Sequence, residues 1–283
     1  MMKHFLNYCE NTRRTLRLAN QYRSARRSTI ILQDREVGLF SIYQQVLGAL
    51  AVCKLIKSSL RIESDKGSYF TNGRPETGWW TYYFENDIYF PEYRQFDRTI
   101  NIEPTKGAAK LTHLGNAMPR QQAHQLTRLL KLRPDVLNMI DSFACDNFSG
   151  NQIIGIHYRG TDKVRGRFSE AEHVSYTKIY EMIKMQKPET MIFVATDEQN
   201  FIDSMKDRLG DRLLSIDAQR SSDGLPIHHQ TERAGVDFDC YKIGLEAIMD
   251  CFLLARTNLL IRTNSNLSKV SMYLNPRIPV IEM

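Results

Sequence analysis

From residue 153 onward the sequence alternates short apolar runs with amphipathic segments, and that alternation limits the fold more than any other feature of the chain. "IIGIHY" (153–158), "TMIFVAT" (190–196), "RLLSID" (212–217), "NLLIRT" (258–263) and "PVIEM" (279–283) read as strands. Between them "SYTKIYEMIKMQ" (175–186), "EQNFIDSMKDRLG" (198–210), "YKIGLEAIMDCFLLAR" (241–256) and "NLSKVSMYLN" (266–275) read as helices. Short runs rich in Val and Ile suit strands buried on both faces. Strands that alternate with helices form a parallel, doubly wound sheet. The polar run "DNFSGNQ" (146–152) marks a domain boundary, giving expected domains 1–149 and 150–283.

The first half repeats the theme once. "STIILQ" (28–33) reads as a strand, a loop with Gly38 follows, and "SIYQQVLGALAVCKLIK" (41–57) repeats Ile42, Val46, Ala49 and Cys53 at helical spacing. Ser41 is the expected N-cap. "SLRIES" (59–64) completes a β-loop-α-β unit. "GWWTYYFEND" (78–87) is either a packed aromatic wedge or a ligand-stacking surface. Residues 119–145 read as helices broken near Pro134.

Composition is that of a globular protein, 42% apolar and 25% charged, with a net charge of +6. Much of the excess lies in residues 11–27, either a solvated basic helix or a contact for an anionic membrane surface. Cysteines 9, 53, 145, 240 and 251 form no C-x-x-C pair and read as reduced thiols. No apolar run is expected to span a bilayer, and the N-terminus lacks a signal h-region, so the expected location is cytoplasmic. No D-x-D-like loop and no His/Cys/carboxylate cluster at ligand spacing stands out, so no metal site and no cofactor are expected.

Ligands of parallel sheets bind at the carboxyl ends of the strands. Three of those ends carry polar residues: "HYRGTDK" with His157, Arg159, Asp162 and Lys163; "ATDE" with Thr196 and Asp197; and "RTNSNLS" with Thr263, Asn264 and Ser265. A strand followed by Thr-Asn-Ser-Asn and a helix reads as simple capping or as an anion site at the helix N-terminus. Arg159 and Lys163 beside it favour a phosphate, gripped by the planar guanidinium. Glu246 and Asp250 lie four apart on an apolar helix, as a solvent-facing stripe or with Asp250 turned to a ligand. A carboxylate accepting two hydrogen bonds matches the N1–H and N2 amino group of guanine. His157 reads as a satisfied core residue or as a ligand contact.

"GIHYRGTDKV", "FVATDE" and "EAIMDCFLLARTNLLIRTNSN" together resemble the three motifs of GDP-fucose-dependent fucosyltransferases of the α1,6 type. The likeness covers roughly the C-terminal half, and the Gly38 loop looks like the matching acceptor-side half. The resemblance implies a GT-B fold, two Rossmann-like α/β domains facing across a cleft, and an inverting reaction that needs no metal. It places diphosphate contact on Arg159, the adjoining motif residues on Asp162 and Lys163, the motif Asp of the second strand on Asp197, the nucleotide-contacting carboxylate on Asp250 and the motif Ser on Ser265. The α1,6 motif has a second Arg where this chain has Gly160, and a double Ser where it has Ser265 and Asn266. The acidic residue that follows the motif Lys is missing, and Glu170 and Glu172 come later.

The expected activity is fucose transfer from GDP-fucose to a glycan hydroxyl, with Glu170 as base and Asp162 orienting Arg159 or Lys163. Rival expectations are a transferase for another GDP-sugar, a non-catalytic GT-B scaffold and a basic nucleic-acid-binding protein. The last lacks any recognisable nucleic-acid motif, so the expected partners are a GDP-sugar and a glycan, not nucleic acid.

Overall fold

The βαβ unit expected near the start of the chain is present. The computed structural model describes residues 2–33, 37–67, 69–71, 74–76, 78–90, 98–102, 106–160, 174–222 and 239–283, with side chains from residue 10. It forms two compact units, Met1–Pro134 and Asp135–Met283. In the first, helix α1 (Met2–Gln21) leads to strand β1 (Thr29–Gln33), helix α2 (Leu39–Ile56) and strand β2 (Ser59–Glu63). β1 and β2 pair in parallel, Ile30 opposite Leu60 and Leu32 opposite Ile62. Strands β3 (Ile88–Tyr89) and β4 (Thr99–Asn101) extend the sheet to the order β3-β2-β1-β4, β3 being antiparallel to β2. Helices α3 (Lys106–Asn116) and α4 (Arg120–Thr127) follow.

α2 begins at Leu39, earlier than Ser41, with Gly38 at the cap position. Its 18 residues have a mean hydropathy of 1.6, which corrects the expectation that no apolar run is long enough to cross a bilayer. Yet 83% of it is buried inside the protein, so α2 is the core helix of this unit. The backbone of α3 lies directly on it: a Cβ on Gly48 would stand 2.2 Å from the Leu111 carbonyl oxygen, and one on Gly115 2.0 Å from that of Gln44. The aromatic run is packed. Trp79, Trp80, Tyr82 and Tyr83 are fully buried, and Trp80 stacks on Phe84 with ring centroids 4.2 Å apart. In α1, Asn11, Thr15 and Ala19 recur every fourth residue and form its buried face, while Arg13 and Arg17 are exposed.

The second unit begins with helix α5 (Pro134–Phe148), whose first residue is a proline where a missing N–H costs nothing. Phe143 and Phe148 of α5 pack on Phe193 of the second sheet, with centroids 5.8 and 5.5 Å away. The division therefore falls before α5, ahead of the polar run 146–152. Strand β5 (Ile153–Tyr158), helix α6 (Tyr176–Lys184), strand β6 (Met191–Thr196), helix α7 (Gln199–Leu209) and strand β7 (Leu213–Leu214) follow in turn. Helix α8 (Cys240–Leu254), strand β8 (Leu259–Arg262), helix α9 (Asn266–Leu274) and strand β9 (Val280–Glu282) complete the unit. All strands are parallel, in the order β7-β6-β5-β8-β9. Every residue of β5 is buried, as a central strand covered on both faces requires.

Candidate active site

The strand order reverses between β5 and β8: the chain winds outward to β7, then returns to the other side of β5. At such a point consecutive connections leave in opposite directions and the strand ends frame a ligand site. Thr263 N donates to His157 O (3.0 Å), and Arg159 N donates to Thr263 Oγ1 (3.0 Å), so the ends of β5 and β8 are tied together. The end of β6 joins them. Arg159 Nε lies 3.3 Å from Asp197 Oδ2, and Gly160 N donates to Asp197 Oδ1 (3.2 Å). The three polar strand ends named from sequence thus meet within one unit.

Gly160 is tied to Asp197 through its backbone N–H and faces the end of the Glu198 side chain. A Cβ there would lie 1.8 Å from Glu198 Oε2. Glu198 is buried and occupies the space that a second motif arginine would enter. The departure from the α1,6 motif is therefore matched by a neighbouring carboxylate.

Glu246 and Asp250 of α8 are both buried, which removes the solvent-facing reading. Glu246 Oε2 accepts from Gln219 N (3.0 Å) and so holds the segment after β7 against α8. Asp250 Oδ1 has no hydrogen-bond partner among the described residues. Burial pushes the Asp250 carboxyl well above the usual carboxylate range; Arg220 opposes this, while Glu246 and Asp197 add to it. His157 is driven the other way, to about 3, by burial and then by Arg262 and Arg159. It is a neutral imidazole with Nδ1 unpartnered.

The same condition recurs around the site. His157 Nδ1, Glu198 Oε2, Gln219 Oε1, Arg220 Nε and Asp250 Oδ1 are all buried without a hydrogen bond among the described residues, while Glu246 Oε1 has Lys242 Nζ 3.6 Å away. Each such group costs about 1–3 kcal/mol, and native proteins hold few of them. Similar atoms occur in the first unit as well, Gln44 Nε2 and Oε1 among them, so at this site it is Asp250 and His157, facing the polar strand ends, that leave acceptors open to a polar ligand.

Other expected residues serve local structure. Ser265 caps α9, its Oγ accepting from Leu267 N (3.3 Å). Thr196 Oγ1 accepts from Glu198 N (3.2 Å), and Asn264 Oδ1 accepts from Arg262 Nη2 (3.4 Å). Gly38 lies in the first unit with an ordinary φ of −57° and nothing within 4 Å of a Cβ, so its position imposes no need for glycine. Asp162, Lys163 and Glu170, with Glu172, lie outside the described residues.

Two arginines escaped the sequence reading. Arg262 is buried and donates to Ser268 Oγ (2.9 Å), Glu282 Oε1 (2.8 Å) and Ser265 O (3.2 Å), fixing the β8–α9 loop. Arg220 donates to Ile216 O (2.8 Å) and its charge acts on Asp250. An arginine at the end of an apolar strand was the available signal for the first; nothing marked the second. A carboxylate pair was also overlooked: Asp237-Phe238-Asp239 has D-x-D spacing. Asp239 caps α8, accepting from Lys242 N (3.1 Å), and Asp237 lies outside the described residues. Among the described residues no group of three or more His, Cys, Asp or Glu is placed to hold a metal.

No family model matches the chain, and no curated protein matches it in sequence. Solved structures do match in shape. NodZ α1,6-fucosyltransferase soaked with GDP-fucose aligns over 90% of this chain and 94% of its own, at 17% identity and a TM-score of 0.60. Fucosyltransferase NodZ from Bradyrhizobium gives 0.55 over the same shares, also at 17% identity. A variant of FUT1 from Arabidopsis thaliana in complex with GDP aligns over 90% of this chain and 70% of its own, at 10% identity and a TM-score of 0.51. Two α/β units, the second a parallel sheet reversing between β5 and β8, therefore give this chain the GT-B fold of NodZ.

Proposed function

We propose that the chain is an inverting, metal-independent glycosyltransferase that moves fucose from GDP-fucose to a glycan hydroxyl. The observation that carries this reading is the buried Asp250 carboxyl, whose Oδ1 has no hydrogen-bond partner among the described residues and which feels the charge of Asp197, the residue that anchors Arg159. Asp250 accepts from N1–H and the N2 amino group of guanine. Arg159, Lys163 and the N-terminus of α9 offset the charge that builds on the leaving diphosphate. The acceptor oxygen attacks the anomeric carbon opposite the diphosphate, its proton passes to a carboxylate, and the C–O bond to GDP breaks. Glu170 is the proposed base. Asp162, which the sequence sets between Arg159 and Lys163, is the proposed orienting residue, because pairing with either cation would lower its carboxyl pKa and weaken it as a base. The protein acts in the cytoplasm, and its basic residues 11–27 touch an anionic membrane surface.

The test is thermal shift against GDP, UDP, CMP and GDP-fucose. GDP and GDP-fucose raise the melting temperature, UDP and CMP much less, and Asp250→Asn weakens the preference for GDP more than diphosphate binding itself. Equal shifts for GDP and UDP would remove the guanine argument.

A further inference from the structure

In the first unit, α1 and α3 enclose a groove of about 430 Å³. That volume lies within the range of small-molecule pockets, about 300–1,000 Å³. Leu18 and Leu114 line it, while Arg14 and Arg17 stand on the α1 side and Lys110 and His113 on the α3 side. Arg14 and Lys110 reach across to neutral partners: Arg14 Nη1 lies 2.9 Å from His113 Nε2, and Lys110 Nζ donates to Gln21 Oε1 (3.2 Å). The one carboxylate bonded to these cations among the described residues is Glu10, paired with Arg14. The groove thus combines an apolar lining with three permanent cations and a single acid.

We propose that this groove seats one anionic phospholipid of a membrane surface, its phosphate on the basic rim and its proximal methylenes against Leu18 and Ala109. The proposal rests on the reading of residues 11–27 as a membrane contact and deepens it, since Lys110 and His113 lie outside that segment. Diffuse attraction of a basic helix to an anionic surface needs only charge. An apolar lining between two basic rows adds a place for hydrocarbon, which neither free phosphate nor a nucleic-acid backbone supplies.

The experiment is co-sedimentation of the full chain with phosphatidylcholine vesicles, with and without phosphatidylglycerol. Ala109 lines the groove and is exposed, so Ala109→Trp blocks it without changing charge. The wild type should bind only phosphatidylglycerol vesicles. Ala109→Trp should lose at least tenfold in affinity, and Lys110→Ala more than the about fivefold expected for one charge near a membrane. Arg26→Ala, off the groove, should lose no more than that. If Ala109→Trp binds as the wild type while Arg26→Ala and Lys110→Ala lose alike, the groove is overturned and the membrane contact stands. If no vesicle binds, both fall. If inorganic phosphate releases the protein as well as monomeric dihexanoyl phosphatidylglycerol does, the site takes phosphate alone and the lipid assignment is wrong. Melting curves separate misfolding from lost binding, and Lys110→Ala keeps the question open to refutation if Ala109→Trp fails to fold.

Discussion

The carboxyl pKa of Asp250 is raised and the imidazole pKa of His157 lowered for one reason: burial disfavours charge whatever its sign. The consequences for stability differ. Between about 6.5 and about 3 the unfolded chain protonates His157 and the folded chain does not, so this residue costs stability as pH falls through that window. Asp250 keeps its proton in the folded state above 3.8, where the unfolded chain has lost it, so its contribution fades as pH rises through that range. In the proposed complex guanine would change the balance at Asp250, because two donors on the base require an ionised carboxylate. GDP binding should therefore release a proton in the window above 3.8, and affinity should rise with pH there. Calorimetry in two buffers of different ionisation enthalpy reads that proton directly. Asp250→Asn should abolish the buffer dependence; a wild type with none would mean that Asp250 does not meet the base as a carboxylate.

The elements were legible in proportion to how locally they are determined. The strands and helices of the second unit declare themselves by period, and β5 to β9 fall where the apolar runs lie because each strand is buried by its own neighbours. β3 and β4 did not, since strands of two and three residues exist only through partners far along the chain. The inward turn of Glu246 was equally hidden: its partner is the backbone of Gln219, which no helical pattern reveals. The tightest packing was silent too. Gly48 reads as a weak point in a helix, yet it admits the Leu111 carbonyl of α3. Because backbone rather than a flexible side chain stands there, Gly48→Ala must push two helices apart. The expected cost is about 1–3 kcal/mol, the usual penalty of overpacking. Urea unfolding should show a lower midpoint with an unchanged slope, and a midpoint equal to the wild type would show that α2 and α3 separate freely.

At the scale of the molecule, the proposed reaction poses a problem of charge, since a departing nucleoside diphosphate would have to be offset by cations of the protein or by a metal. The D-x-D run 237–239 makes this a real alternative, because paired carboxylates of that spacing suit a hard cation. Asp239 already has a structural role, because its Oδ1 accepts from Lys242 N (3.1 Å) at the N-terminus of α8, the helix that carries Asp250. Asn serves that cap as well as Asp does, but is a far poorer ligand for a hard cation. Asp239→Asn should therefore keep both the melting temperature and fucosyl transfer, and EDTA should leave transfer unchanged. Asp239→Ala should lose about 1 kcal/mol of stability with the cap. If Asp239→Asn folds normally yet loses activity, and EDTA does the same to the wild type, the pair binds a metal. Arg159 would then share the diphosphate with that ion.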